Sequence, residues 1–146
     1  YDAATTVSGI DEYGVPVGPG EMDRIDLIVS GSVAVSEDGA RVGKGEGYSD
    51  LEFAVLRAFD VVDEATTTAT TVHERQVVSV PPPDDHDVPM DLVVTPERVL
   101  RPDVGSKPSG IRWAELGERV EEMPLLDRLR PDRDAPDSPD GGERRR

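Results

Sequence analysis

The sequence predicts an α/β fold with an open, mostly parallel sheet flanked by helices. Short apolar and β-branched runs recur along the chain, and a helix-forming run separates two of them. A glycine-rich loop leads directly into that helix. With 146 residues there is room for about one domain. We divide the chain into an irregular segment 1–23, an α/β domain 24–128 and a disordered tail 129–146.

The elements follow in chain order. Residues 1–23, rich in glycine, proline and acids, predict loops around one short strand. The strands predicted after them are 25–29, which we expect to be buried, then 32–35, 66–72 and 92–95, with a further short element at 76–80. Residues 41–42 lead into the glycine loop. Residues 113–122 predict a helix that ends before Pro124. The last 17 residues, 130–146, hold no large apolar side chain and cannot offset the entropy cost of ordering.

The strongest helix signal is the run 51–59, which is dense in apolar residues and helix formers. Ser49 followed by Glu52 three residues later is typical of a capping box, with Ser49 as the N-cap. A helix that is apolar on most of its circumference is usually buried against a sheet. We therefore expect the order strand, glycine loop, buried helix.

Composition excludes several classes of partner. The chain has 31 acidic and 16 basic residues, a net charge of −15 and a pI near 4.4. This charge repels phosphate backbones and anionic lipids, so we expect no nucleic-acid and no membrane partner. There is no cysteine, no signal peptide and no apolar run of about 18 residues. We expect a cytoplasmic monomer, and we favour a salt-adapted cell over an ordinary one as the reason for the acidity.

The loop from Gly43 to Gly47 is typical of a phosphate-binding site. Alternate glycines allow close backbone approach, and a helix N-terminus offers free N–H groups to an anion. Lys44 stands inside the loop, and it is one of only two lysines, with Lys107. The spacing matches neither a P-loop, which would need glycine at Asp38, nor a dinucleotide motif. A generic tight turn remains the alternative.

A second group of polar residues, Asp84, Asp85, Asp87 and Asp91, precedes the strand at 92–95. In so acidic a chain such a cluster is ordinarily solvated surface. The alternative is that one of its carboxylates and one beside the glycine loop share a magnesium ion that also binds phosphate.

The two histidines, His73 and His86, lack the spacing of a zinc site. We interpret His73 as a structural or substrate-contacting residue.

Five stretches together give a resemblance to a known family. They are 26–35, 41–52, 71–78, 86–96 and 107–113, which stand in order within a match over about 20–126. In them the chain resembles the 5-formyltetrahydrofolate cyclo-ligases, also called methenyltetrahydrofolate synthetases. It looks like the C-terminal portion of a divergent, archaeal-type member.

The resemblance implies a three-layer sandwich similar to sugar-phosphate isomerase folds. It also implies an ATP- and Mg²⁺-dependent enzyme that forms a C–N bond, converting 5-formyltetrahydrofolate to 5,10-methenyltetrahydrofolate. Tyr48 falls on a position that faces the folate substrate, and Asp50 and Asp87 fall on metal-ligand positions. The implied nucleotide-binding residues are Gly43, Lys44, Gly45, Glu46, Gly47 and Tyr48.

The chain departs from the family pattern at Ser49, Leu51 and Glu52, where most members have a second tyrosine and basic or polar residues. The family's basic N-terminal part also has no counterpart here. If Tyr1 is the true start, we expect weak nucleotide binding and no turnover. Two alternatives stay open: a non-catalytic module that binds nucleotide or folate, and a sugar-phosphate isomerase-like enzyme.

Overall fold

The computed structural model describes most of the chain, namely residues 5–45, 47–111, 113–116 and 126. The predicted tail 129–146 and the end of the predicted helix 113–122 lie outside the described residues. The chain divides into two units, 1–111 and 112–146. All the described strands lie in the first unit, and the boundaries expected at 23/24 and 128/129 stay predictions.

The first unit contains a four-stranded mixed sheet and a separate two-stranded one. Six strands build them: β1 Leu27–Val29, β2 Ala34–Val35, β3 Arg41–Val42, β4 Thr67–Thr71, β5 Leu92–Val94 and β6 Val99–Leu100. The larger sheet has the order β1-β4-β5-β6, in which the first two pairs are parallel and the last is antiparallel. A mostly parallel sheet with helices confirms the predicted α/β class.

The described helices are α1 Val7–Tyr13, α2 Tyr48–Ala58 and α3 Trp113–Leu116, with 3₁₀ turns at Pro19–Glu21 and Glu74–Gln76. The expectation of loops and a strand at the start of the chain is wrong for α1. Thr6 caps this helix, because its Oγ1 accepts a hydrogen bond of 3.0 Å from the Gly9 N–H. No helix among the described residues is long and apolar enough to cross a membrane.

Two strand predictions need correction. The sequence predicts a buried strand at 25–29, yet Leu27 and Val29 of β1 are 54% and 61% exposed. These two side chains share one face of the strand, which is open to solvent, whereas Ile28 on the other face packs against the core. The segment 76–80 forms no strand; Val77 makes only an isolated bridge to Val35. The following prolines at 81–83 provide no N–H groups with which a ladder could continue.

The central strand β4 buries hydroxyl groups and satisfies each of them. Thr68 Oγ1 donates to the Pro89 carbonyl at 2.6 Å, and Thr70 Oγ1 lies 2.7 Å from Ser32 Oγ. Because Ser32 follows β1, the second bond ties the segment beyond β1 to the end of β4. β-Branched residues suit the strand, and their hydroxyls would be costly here without partners.

The core of the unit is one apolar cluster: Val35, Phe53, Val62, Val72, Val88, Met90 and Val93. Phe53 comes from α2 and Val93 from β5, so helix and sheet share this core. Leu51, Ala54 and Val55 of α2 are also buried. The expectation of a buried helix after the glycine loop is thus confirmed.

Candidate functional site

The glycine loop, residues 43–47, joins β3 to α2. Gly47 is the N-cap of α2 with φ of 64°, and Gly45 has φ of 91°. This left-handed backbone conformation costs little free energy only for glycine. Gly47 therefore turns the chain into α2, which begins at Tyr48. The predicted capping box is therefore wrong: Ser49 lies inside the first turn, and no side chain caps the helix. The fourth loop residue, Glu46, lies outside the described residues.

Arg41 lies at the base of the loop and is a residue that the sequence analysis missed. Its side chain is only 7% exposed; it donates to the Gly31 carbonyl at 2.9 Å and forms a 3.4 Å ion pair with Asp50. A Cβ at position 43 would lie 2.9 Å from Arg41 Nη1, so glycine there makes room for the guanidinium. An arginine two residues before the first glycine of the loop was the available signal.

A pocket of about 360 Å³ opens between this loop and the segment after β1. Its lining residues are Gly31, Ser32, Val33, Arg41, Gly43, Lys44, Gly47, Tyr48 and Ser49. We call it the phosphate pocket, because two cationic side chains and the uncapped start of α2 meet there. The net charge of the protein is −15, yet the lining of this pocket is locally positive and attracts an anion.

The structure brings most of the predicted nucleotide residues to this pocket. Gly43, Lys44, Gly47 and Tyr48 line it, and Gly45 belongs to the same loop. Tyr48 is 43% exposed, as a residue that faces a ligand would be. Their roles in binding stay predictions.

The two predicted metal ligands lie on neighbouring segments. Asp50 Oδ1 accepts a 2.9 Å hydrogen bond from the Val88 N–H, and Val88 follows Asp87 directly. The other oxygen of Asp50 faces Arg41, and the side chain is 16% exposed. Asp50 thus has both oxygens engaged, and its first role here is to hold the acidic segment against the start of α2.

Asp87 has different neighbours. Its Oδ2 accepts a hydrogen bond of 2.8 Å from the Asp84 N–H, and its Oδ1 lies 3.4 Å from His86 Nε2. Within the described part of the chain, the one group of three with metal-ligand geometry is Asp84, His86 and Asp87, with ligand atoms within 4.8 Å. Asp50 is not part of that group. A cation shared by Asp50 and Asp87 stays a prediction.

The last aspartate of the predicted cluster has a structural role. Asp91 Oδ2 accepts from Lys107 Nζ at 2.7 Å and from the Thr68 N–H at 2.8 Å. It also lies 3.0 Å from the Thr68 hydroxyl, whose one proton it shares with the nearer Pro89 carbonyl. Burial raises the pKa of Asp91, but the hydrogen bonds from Lys107 and Thr68 outweigh it and lower the pKa overall. Asp91 therefore joins β4, β5 and the segment around 107, and it is neither solvated surface nor a free ligand.

His73 is the N-cap of the 3₁₀ turn Glu74–Gln76, and it also lines a second cavity at the ends of β4 and β5. Its Nδ1 accepts a 3.1 Å hydrogen bond from the Arg75 N–H, at the start of the turn Glu74–Gln76. Gln76 closes the same turn, because its Oε1 accepts from the His73 N–H at 2.8 Å. These contacts give His73 a structural role, and a contact between His73 and a substrate stays a prediction.

Comparison with known proteins identifies the family. A model of the 5-formyltetrahydrofolate cyclo-ligase family matches residues 2–96. The chain belongs to this family. The matched cyclo-ligase region includes β1 to β5 and the whole phosphate pocket, and it also takes in α1, which precedes the resemblance expected over 20–126.

Individual relatives fall into two groups. The chain is 41% identical over 157 residues to a methenyltetrahydrofolate synthase domain-containing protein of Bos taurus, covering 95% of the chain and 40% of the relative. The Homo sapiens protein of the same name is 43% identical, covering 86% and 34%. The 5-formyltetrahydrofolate cyclo-ligase of Escherichia coli K12 is 30% identical over 53% of the chain and 40% of its own length. The chain thus spans about two fifths or less of these relatives.

Proposed function

We propose that this chain carries the phosphate-binding part of an ATP- and Mg²⁺-dependent 5-formyltetrahydrofolate cyclo-ligase. The observation that supports this most is the phosphate pocket, in which Arg41, Lys44 and the start of α2 converge. The reaction of such an enzyme transfers the γ-phosphoryl group of ATP to the formyl oxygen of 5-formyltetrahydrofolate. A neighbouring folate nitrogen then attacks the formyl carbon, phosphate leaves, and 5,10-methenyltetrahydrofolate forms.

In this proposal the side chains act by position and charge. Lys44, exposed on the loop, neutralises phosphate charge as a mobile point charge, whereas the buried guanidinium of Arg41 offers fixed donors. The uncapped N–H groups of α2 bind phosphate oxygens. Tyr48 at the mouth of the pocket contacts the folate. Phosphoryl transfer needs little more from a protein than positioning and charge stabilisation.

Magnesium would be held by Asp50 and Asp87, and it would neutralise charge on the phosphates. The carboxylate donors suit this ion, and the Val88–Asp50 hydrogen bond keeps the two segments together. Asp50 would bind the ion with oxygens that already accept hydrogen bonds. Replacing either aspartate by asparagine should abolish Mg²⁺-dependent nucleotide binding, and unchanged affinity in both variants would rule out this metal site.

The phosphate site can be tested by calorimetric titration of the protein with Mg·ATP, together with an assay for the absorbance of the methenyl product. Lys44→Ala should weaken Mg·ATP binding about tenfold, the loss of one charge-assisted contact. Arg101→Ala is the matched control, since it removes one exposed cation from outside the pocket. Equal effects of the two substitutions would show a general charge effect and contradict the proposal.

A second candidate function is a module that binds nucleotide or folate without catalysis. One observation favours it: relatives above 40% identity are named methenyltetrahydrofolate synthase domain-containing proteins, and not cyclo-ligases. The same titration separates the candidates. Binding of Mg·ATP and folate without any methenyl product would support the module.

We also propose a fold type, an oligomeric state and a cellular setting for this protein. The sheet would belong to a three-layer sandwich like that of sugar-phosphate isomerases, and the protein would be a monomer in the cytoplasm of a salt-adapted cell. The excess of acidic residues supports salt adaptation, because salt screens their mutual repulsion. Thermal unfolding at about 0.1 M and 2 M KCl tests this point: a higher Tm at high salt is expected, and a lower one would contradict it.

A further inference from the structure

A second cavity, of about 460 Å³, lies at the carboxyl ends of β4 and β5. Its lining residues are Thr71, Val72, His73, Gln76, Val94, Thr95 and Pro96. We call it the β4–β5 pocket. In open α/β sheets, ligands bind beyond the carboxyl ends of parallel strands, and this volume lies within the range of small-molecule sites. The function proposed above does not use this pocket.

Gln76 connects the β4–β5 pocket to the phosphate pocket. Its side chain lines the first, and its Nε2 donates to the carbonyls of Ser32 and Val33, both at 3.1 Å. Ser32 and Val33 line the phosphate pocket. Three hydrogen bonds fix Gln76, including the one from the His73 N–H. The two cavities are therefore neighbours with a rigid wall in common.

The linings of the two cavities differ in charge. The phosphate pocket holds Arg41 and Lys44, whereas no lysine or arginine is among the described residues that line the β4–β5 pocket. Val72, Val94 and Pro96 supply apolar carbon, and Thr71 and His73 supply polar atoms. Nδ1 of His73 already accepts a hydrogen bond from the Arg75 N–H, so Nε2 is the ring nitrogen left to donate to a ligand. Such a lining suits an uncharged, partly apolar ligand with a hydrogen-bonding edge.

We propose that the β4–β5 pocket binds a fused, amino-substituted heterocyclic ring of a substrate whose reacting end occupies the phosphate pocket. This inference rests on the proposed function, which supplies two such rings, the adenine of ATP and the pterin of the folate. Both have apolar faces and polar edges, and both are uncharged at neutral pH. The ring fits the neutral cavity, while phosphate groups fit the cationic one.

The test is to fill the pocket from either strand. Thr71→Phe and Pro96→Phe each add a large side chain at an exposed lining position, so one can fail to fold without ending the test. Thr67→Phe is the matched control, since it adds the same volume at the other end of β4. Each folded variant is titrated with adenosine, 5-formyltetrahydrofolate and inorganic triphosphate. Lys44→Ala is titrated in parallel.

Filling the pocket should weaken binding of one ring ligand at least tenfold and change triphosphate binding less than twofold. Loss for adenosine assigns the pocket to adenine, and loss for 5-formyltetrahydrofolate assigns it to the pterin. Unchanged affinity for both rings in a folded variant overturns the inference, as does an equal loss in Thr67→Phe. Failure of the proposed function gives a different result. In that case triphosphate would not bind to the wild-type protein, or Lys44→Ala would leave the triphosphate affinity unchanged.

Discussion

The only two lysines of this chain have opposite surroundings. Lys107 is 6% exposed, and its Nζ contacts the carboxylate of Asp91 and the carbonyls of Glu64 and Thr66. Lys44 is exposed on the glycine loop and lines the phosphate pocket. A buried ammonium is kept only where its three donors are satisfied, whereas an exposed one is available to a ligand. The same residue type is therefore structural in one region and a candidate for function in the other.

The largest effect should come from breaking the buried pair. Lys107→Met leaves the Asp91 carboxylate without its cation, and we expect a loss of about 3 kcal/mol in the free energy of unfolding. Lys44→Met is the matched control, with an expected change below about 0.5 kcal/mol. Urea denaturation at one fixed salt concentration measures both. Similar losses of stability in the two variants would contradict the distinction between a structural Lys107 and a Lys44 that is not needed for folding.

Arg41 should contribute both to stability and to ligand binding, because its side chain is buried like that of Lys107 yet lines the phosphate pocket like Lys44. Arg41→Met removes the ion pair with Asp50 and the bond to the Gly31 carbonyl. We expect a loss of about 2 kcal/mol in stability and at least a tenfold loss in Mg·ATP affinity. Denaturation and calorimetry on the same sample check this. If only the stability falls, Arg41 is a structural residue like Lys107. If only the Mg·ATP affinity falls, its role is confined to the pocket, as expected for Lys44.

A smaller effect is expected from the backbone of the loop. Gly47→Ala forces a side chain onto a residue with φ of 64°, at a cost of about 1 kcal/mol. Gly105→Ala is the control, since a Cβ there meets open space and its φ is not positive. Thermal unfolding of both variants measures the difference. If Gly47→Ala is as stable as Gly105→Ala, the left-handed cap of α2 is not a constraint on the loop.

The pH dependence of the free energy of unfolding should also reveal the buried pair of Asp91 and Lys107. The folded-state pKa of Asp91 lies below its ordinary value of 3.8, so its contribution to stability is complete above that value. The contribution is lost as the pH falls through the folded-state pKa. The stability difference between wild type and Asp91→Asn should therefore shrink below about pH 4. A difference that is constant from pH 7 to pH 2.5 would contradict this.

The smallest effect is expected at the partly exposed ion pair of Glu74 and Arg98. Hydrogen bonds from Arg98 and Thr95 lower the pKa of Glu74, and the Arg98–Glu74 contact is 2.6 Å. Because Arg98 is exposed and Glu74 is only partly buried, Glu74→Gln should lower the Tm only slightly, and the decrease should vanish near 1 M salt. The decrease caused by Lys107→Met should persist at that salt concentration. A salt-resistant effect at Glu74 would contradict this distinction.

Much of the fold could be predicted from local patterns. The β-branched run at 66–72, the apolar run at 92–95 and the helix after the glycine loop all form where the sequence indicates. These signals depend on residues close together in the chain, namely propensity and apolar density. The glycine loop and Lys44 were found in the same way, because their chemistry depends on adjacent residues.

Only the tertiary structure decided which polar groups are buried and which neighbours they have. Asp84, Asp87 and Asp91 look alike in the sequence, yet Asp91 is bound by Lys107 and Thr68, which are distant in the chain. Arg41 gained its role from Gly31 and Asp50, and Leu27 and Val29 of β1 are exposed because the strand face that they share is open to solvent. Burial and charge pairing arise from contacts between distant segments, and a local pattern of residues does not encode those contacts.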